Sequence, residues 1–366
     1  MVFQIRLLVL IALYPLTSAV PKQEFKLEIP RITVEDLARN ATIRSGLHAY
    51  VLTGHVKSQW KAANWTLDYL KEKIPFEWVD YYENNMRDQG SKPYLFRFSD
   101  ALPRFLHRTG TPRYMQLRLS LRGWKRLKKD FQPLPSPDIF WSDEEWIGQC
   151  MRKPGADKMD SDAVDNFYTT NQWKFLLIGE EGTSMFFHAD GTASSSWQAQ
   201  LVGRKKWTLC PHSEREYLST TVDTFSDEGQ RDPKFAKALC GQVVVNPGEL
   251  LYYPGYWWHH TLQLETPSIA YTGALVGTEI ERNDIGRDGR AHAAFYRDIY
   301  RKCENCWTKG EPARKCDDIS QKWPGAAPPP LRVVCEEYLP ECFKLWEEHA
   351  KLLIKPVTTS KAKSEL

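Results

Sequence analysis

The sequence predicts a mainly β protein with flanking helices, on three observations. Between residues 165 and 277, short apolar and aromatic runs alternate with Gly and Pro breakers, the pattern of a sandwich or barrel. Segments of helical character lie on both sides of that block. Of the 366 residues, 42% are hydrophobic and 13% aromatic, ample for a sizeable core, so wholesale disorder is excluded. Lys+Arg number 49 against 46 Asp+Glu, a net +3 that is too balanced for a dedicated nucleic-acid binder.

The elements follow in chain order. Met1–Ala19 has a positive start at Arg6, an apolar run over Leu7–Leu13 and small residues at Thr17-Ser18-Ala19, the three parts of a secretory signal peptide. The run is shorter than the ~20 residues of a membrane span, and Pro15 interrupts it. No membrane span is therefore expected after cleavage, and no other sustained apolar run suggests a polytopic membrane protein. Residues 20–110 read as mixed helix and loop. Trp60, Ala63, Leu67 and Leu70 sit at helical spacing in Trp60–Lys73, which Pro75 stops. Pro93–Phe98 is aromatic and extended, and reads as a strand. In the core, Trp173–Ile178 reads as a strand and Gly179–Gly182 as a turn. Trp197–Val202 and Lys205–Cys210 flank Gly203-Arg204 and read as a hairpin. Val243–Val245, Leu250–Tyr253 and Ile269–Val276 are further strands between breakers such as Asn246-Pro247-Gly248. Beyond residue 278 the character changes: Glu279–Arg301 is charged and reads as helix, and Lys302–Cys342 is rich in Cys and Pro. The domain plan is a signal peptide at 1–19, a folded unit at 20–277 with its core at 165–277, and a helical, Cys-rich extension at 278–366. No internal repeat and no Gly-rich phosphate loop is visible.

The main chemical signal is His188-Ala189-Asp190 together with a distant Tyr256-Trp257-Trp258-His259-His260. On a strand, residues i and i+2 point to one side, so His188 and Asp190 can reach one ion. Two histidines and a carboxylate make the facial triad of non-haem Fe(II) oxygenases, which leaves the other face of the ion open. His259 and His260 face opposite sides of a regular strand, so only one of them can join.

The surrounding blocks resemble the JmjC family of cupin-fold, 2-oxoglutarate-dependent oxygenases, especially its small protein hydroxylases. They are Gly182 through His188-Ala189-Asp190-Gly191, Ser196-Trp197-Gln198, Leu201 through Pro211, and Asn246 through His259. The resemblance implies a double-stranded β-helix (jelly-roll) core, Fe(II) as the metal and 2-oxoglutarate as co-substrate. It implies His188, Asp190 and His259 as the metal ligands and catalytic centre, because the family's distal ligand directly follows its Trp-rich stretch. It implies Lys205 as the cation for the distal carboxylate, with Lys206 pointing the other way. Tyr94 and Thr272 would supply hydroxyls to that carboxylate, and Gln198 an amide near the metal-bound end. One departure stands out: relatives usually have Thr or a small polar residue three positions before the first ligand, where this chain has Met185, followed by Phe186 and Phe187. The implied reaction releases succinate and CO2 and hydroxylates a C–H of a protein or peptide substrate. The runner-up is a catalytically silent JmjC-fold interaction protein.

The ends and the cysteines speak to location. The chain closes on Lys363-Ser364-Glu365-Leu366, similar to the KDEL signal that a retrieval receptor reads. With the signal peptide, it points to the endoplasmic reticulum lumen; secretion is the alternative. Asn40-Ala41-Thr42 and Asn64-Trp65-Thr66 are glycosylation sequons that agree with luminal entry. The chain has eight cysteines, five of them between Cys303 and Cys342. Their spacing beyond Cys303-Glu304-Asn305-Cys306 is irregular for zinc, and an oxidising compartment favours structural disulfides.

Overall fold

A computed structural model describes residues 21–40, 43, 48–83, 90–107, 110–135, 174–190 and 195–275. The signal peptide, Glu279–Arg301, Cys303–Cys342 and the C-terminal tetrapeptide lie outside the described residues. Before the core come β1 (Arg31–Ile32), β2 (Tyr50–Leu52), β3 (Trp78–Tyr82), β4 (Tyr94–Arg97) and β5 (Tyr114–Arg118). The core adds β6 (Lys174–Gly179), β7 (Ser184–Ala189), β8 (Ser195–Val202) and β9 (Lys205–Cys210). It closes with β10 (Gly241–Val245), β11 (Leu250–Tyr253), β12 (Trp258–Gln263) and β13 (Ser268–Leu275). A nine-stranded sheet runs β1-β2-β11-β8-β13-β6-β5-β3-β4, and a four-stranded sheet runs β10-β9-β12-β7. This mainly β architecture with added helices is consistent with a cupin fold.

Side-chain alternation assigns the two faces of the large sheet. Met115 and Leu117 on β5, Leu176 and Ile178 on β6, and Trp197 on β8 join the cluster that also holds Leu102, Phe105, Trp124 and Phe131 from the helical segments. The alternate residues face the small sheet. There Val51, Leu251 and Tyr253 pack against Trp207, Leu209, Val243 and Val245, closing one end of the space between the sheets.

Three expectations are corrected. Trp197–Val202 and Lys205–Cys210 are strands but do not form a hairpin. Both edges of β8 are taken by β11 and β13, and both edges of β9 by β10 and β12. Gly203, at φ 66°, instead carries the chain from one sheet to the other, and a Cβ there would lie 2.7 Å from the Pro267 carbonyl oxygen. Trp60–Lys73 is not one helix. A 3-10 turn covers Lys61–Asn64, and a new helix, Leu67–Lys73, starts where the Thr66 hydroxyl caps the Tyr69 N–H. Finally, the N-terminal part is more than helix and loop, since β1 to β3 extend the large sheet.

Candidate metal centre

Pairing between β7 and β12 sets His259 directly opposite His188. Asp190 follows the end of β7 by one residue. Their ligand atoms all lie within 4.8 Å of one another, and among the described residues this is the one such cluster of potential metal ligands. The Nε2 atoms of His188 and His259 lie 3.6 and 3.8 Å from Asp190 Oδ1. Each ring donates its Nδ1 proton to the carbonyl two residues back, of Phe186 at 2.7 Å and of Trp257 at 3.0 Å. That fixes the tautomer and turns both Nε2 lone pairs toward the shared point. The other carboxylate oxygen, Asp190 Oδ2, accepts from Ser196 Oγ at 3.1 Å and Tyr253 OH at 3.2 Å. Burial opposes ionisation of Asp190, but His259, His188 and the Ser196 bond outweigh it and hold the carboxyl below its usual range. Burial pushes the His259 imidazole down to about 4, so it is neutral at pH 7. Two imidazoles whose Nε2 atoms turn toward Asp190 Oδ1, with that carboxylate, form a donor set that fits a divalent ion.

His260 faces the other way. Its Nδ1 accepts the Thr224 N–H at 3.2 Å, and its ring lies 4.5 Å from that of Phe225, outside the space between the sheets. Strand parity therefore separates the two neighbours as expected.

Lys205 lies on the inner face of β9 and is 1% exposed. His259 pairs with Leu209, and Lys205 lies four residues back along the same strand, a Cα separation of ~13 Å. Its Nζ donates to Gln198 Oε1 at 2.6 Å, across from one sheet to the other. No carboxylate among the described residues pairs with it, and burial pushes its ammonium down to about 7. Lys206 points out, with its Nζ 5.6 Å from the Phe225 ring centroid. Thr272 pairs with Gln198 and so shares its inward face, although its hydroxyl donates to the Trp197 carbonyl at 2.9 Å.

Tyr94 is not brought to this site. It sits 56% exposed on β4, the edge of the large sheet, with β6, β5 and β3 between it and Thr272. The inward tyrosine is Tyr114, on β5. It is buried beside Tyr82, Leu177 and Met185. Next to it, Arg113 donates to both oxygens of the buried Glu180, at 3.1 and 3.0 Å, which pins the β5–β6 pair. Tyr114 is absent from the residues that the resemblance implies. The period-two run Tyr114-Met115-Gln116-Leu117-Arg118 was the signal that could have found it.

Met185 also faces inward, for a reason parity alone does not give. His259 opposes His188 and Thr261 opposes Met185, so Phe186 and Phe187 together oppose His260, a β-bulge. Phe187 turns outward against Phe235 and Trp258, and Phe186 stays beside the His188 ring, 4.8 Å away. Of the three bulky residues, Met185 is the one that packs with Phe175 and Leu177 on the inner face. Thr261, also missed, places its hydroxyl opposite, where it accepts the Met185 N–H at 3.4 Å.

Comparison with known proteins agrees with this geometry. A family model described as a cupin-like domain matches residues 50–272. The chain is similar to lysine-specific demethylase JMJ21 of Arabidopsis thaliana, 25% identical over 264 residues, covering 63% of this chain and 23% of that protein. It is similar to arginine-specific demethylase JMJ20 of the same plant, 25% identical over 158 residues, covering 40% of this chain and 34% of that protein. It is also similar to the 2-oxoglutarate and iron-dependent oxygenase JMJD4 of Gallus gallus, 27% identical over 211 residues, covering 53% of this chain and 40% of that protein. The chain thus spans at most 40% of the length of these relatives.

Proposed function

The chain belongs to the cupin-like domain family, in its JmjC-type form, and from that premise we propose an Fe(II)- and 2-oxoglutarate-dependent dioxygenase that hydroxylates a protein side chain in the secretory pathway. The observation that carries the reading is a pair of complementary groups in the space between the sheets: a triad of candidate metal ligands and, further along β9, a buried ammonium that no carboxylate among the described residues pairs with. A dicarboxylate that chelates the metal at one end and meets Lys205 at the other satisfies both. Fe(II) with 2-oxoglutarate would activate O2, one oxygen atom going into the new C–OH and the other into succinate as CO2 leaves. The chain's own residues do the rest. His188, Asp190 and His259 hold the ion on one face. Lys205 takes the distal carboxylate, Tyr114 adds a hydroxyl beside it, and Gln198 and Thr272 line the wall between. Met185 and Leu177 exclude water from the same space.

Luminal residence is supported by the Cys210–Cys240 disulfide, which joins β9 to the residue before β10, and by the exposed Asn40 and Asn64 of the two sequons. The test is succinate release from 2-oxoglutarate with Fe(II), ascorbate and pooled luminal peptides. The wild type is expected to release it and His188→Ala not to. Equal release by the two proteins, or none from either, would instead favour the silent interaction protein.

A further inference from the structure

The large sheet carries a second site at the same end of its strands as the triad, and we propose that it docks an acidic side chain of the polypeptide substrate. It is a cavity of about 550 Å³, lined by Phe76, Glu77, Trp78, Arg97, Ser120 and Arg122 among others. Two guanidinium groups frame it, each laid on an aromatic ring. Arg97 lies 3.7 Å from the Trp78 ring centroid, and Arg122 lies 4.0 Å from that of Phe76. Arg126 adds a third positive charge, 4.9 Å from the Phe76 ring.

The chemistry of the cavity selects an anion. Glu77 is among the lining residues, its oxygens accepting the Ser120 N–H at 3.0 Å and the Ser120 hydroxyl at 2.5 Å, and its single carboxylate, which attracts both Arg97 and Arg122, leaves the two guanidiniums with an excess of positive charge. Arg97 donates one Nη1 bond to the Phe76 carbonyl. Beyond its attraction to Glu77, Arg122 makes no hydrogen bond or salt bridge among the described residues. Stacking holds the planar donor forks in place, so pairing with an incoming carboxylate orders little that is not already ordered. Trp78 stays 48% exposed beside the forks, an apolar surface for the ligand's backbone and stem.

Strand register relates this cavity to the triad. Ser196, which holds Asp190, pairs with Ala274 on β13. One residue along the row, Gly273 pairs with Lys174 on β6; then Phe175 pairs with Arg118 on β5, and Leu117 with Val79 on β3. The row through Ser196 therefore ends at the start of β3, beside Phe76 and Glu77. From β8 to β3 is four strand spacings, ~19 Å, which an extended peptide covers in about six residues. The inference rests on the protein-hydroxylase reading: a target side chain at the triad would place an acidic residue about six positions away between Arg97 and Arg122.

A binding measurement tests it without turnover. The probes are a short fluorescein-labelled Glu-Gly-Ser peptide and its Gln-Gly-Ser counterpart, titrated with the full chain and followed by anisotropy. The Glu peptide is expected to bind about tenfold tighter than the Gln peptide, as for a charge-assisted pair. Arg122→Glu is expected to remove that preference and to lower the melting temperature only slightly, because its attraction to Glu77 acts from an exposed position. Arg122→Lys is expected to recover part of it. His188→Ala is expected to bind the probe normally, so a failed oxygenase assay would leave this result standing. No preference in the wild type, or a preference that survives Arg122→Glu, overturns the proposal. So does displacement of the Glu peptide by inorganic phosphate at a concentration that leaves the ionic strength unchanged, which would mark a small-anion site.

Discussion

A tyrosine twenty residues from the one expected tests the co-substrate cavity most directly. Tyr114→Phe removes the hydroxyl of the buried tyrosine on the inner face of β5, so it is expected to raise the KM for 2-oxoglutarate about tenfold and leave metal affinity unchanged. Tyr94→Phe, at an exposed edge position, is expected to change neither. The reverse outcome would return the role to Tyr94. Lys205 gives a pH dependence. Burial lowers its folded value to about 7 from 10.5, so between those limits the unfolded chain holds a proton that the empty folded protein lacks. Raising the pH through that window therefore stabilises the empty protein as far as this group is concerned. Dicarboxylate binding has the opposite sign, since it needs the ammonium. Affinity for the analogue N-oxalylglycine, measured by calorimetry, is expected to fall about tenfold per unit above pH 7, and Lys205→Met to flatten the profile. The candidate metal ligands were legible because chemistry restricts such groups to a few residue types, and His188 and Asp190 share one parity. Tyr94 was misplaced because a tyrosine on a strand looks the same in sequence whether its strand closes the barrel or edges the sheet.

Among the elements, the link between β8 and β9 shows what local reading misses. A Gly-Arg pair between two apolar runs has the local form of a hairpin turn. It serves here as an arch between sheets, because each flanking strand finds both partners far along the chain. The arch brings Gln198 and Lys205, seven residues apart, face to face across the cavity. Gly203 is essential to it. Gly203→Ala would force a left-handed residue with a Cβ against the Pro267 carbonyl, and is expected to cost about 2 kcal/mol of unfolding free energy in urea titration. Indifference to that substitution would mean the arch can relax. The bulge at Phe186–Phe187 is a second element-scale fact. It turns Met185 inward although it stands three residues from His188.

Over the whole molecule, the triad and Lys205 bond across the two sheets, through Ser196 and Gln198, so ligands held there are expected to stabilise the fold as a unit. A redox-inert divalent metal with 2-oxoglutarate, each at a hundredfold excess over its Kd, is expected to add about 2.7 kcal/mol per ligand. Thermal melting reads this, and a chelator should reverse it; a melting temperature blind to both would argue against a binding cavity. The sequence by itself determined the β-rich core and, because parity along one strand is a local property, that His188 and Asp190 share a side while Lys205 and Lys206, or His259 and His260, part; the resemblance to the JmjC family chose between those neighbours. Only the tertiary structure decided which strands share a sheet, which tyrosine faces inward, where Met185 points and that arginines line the far end of the row. Those depend on pairings between residues far apart in the chain, and no local periodicity records which distant edge a strand will find.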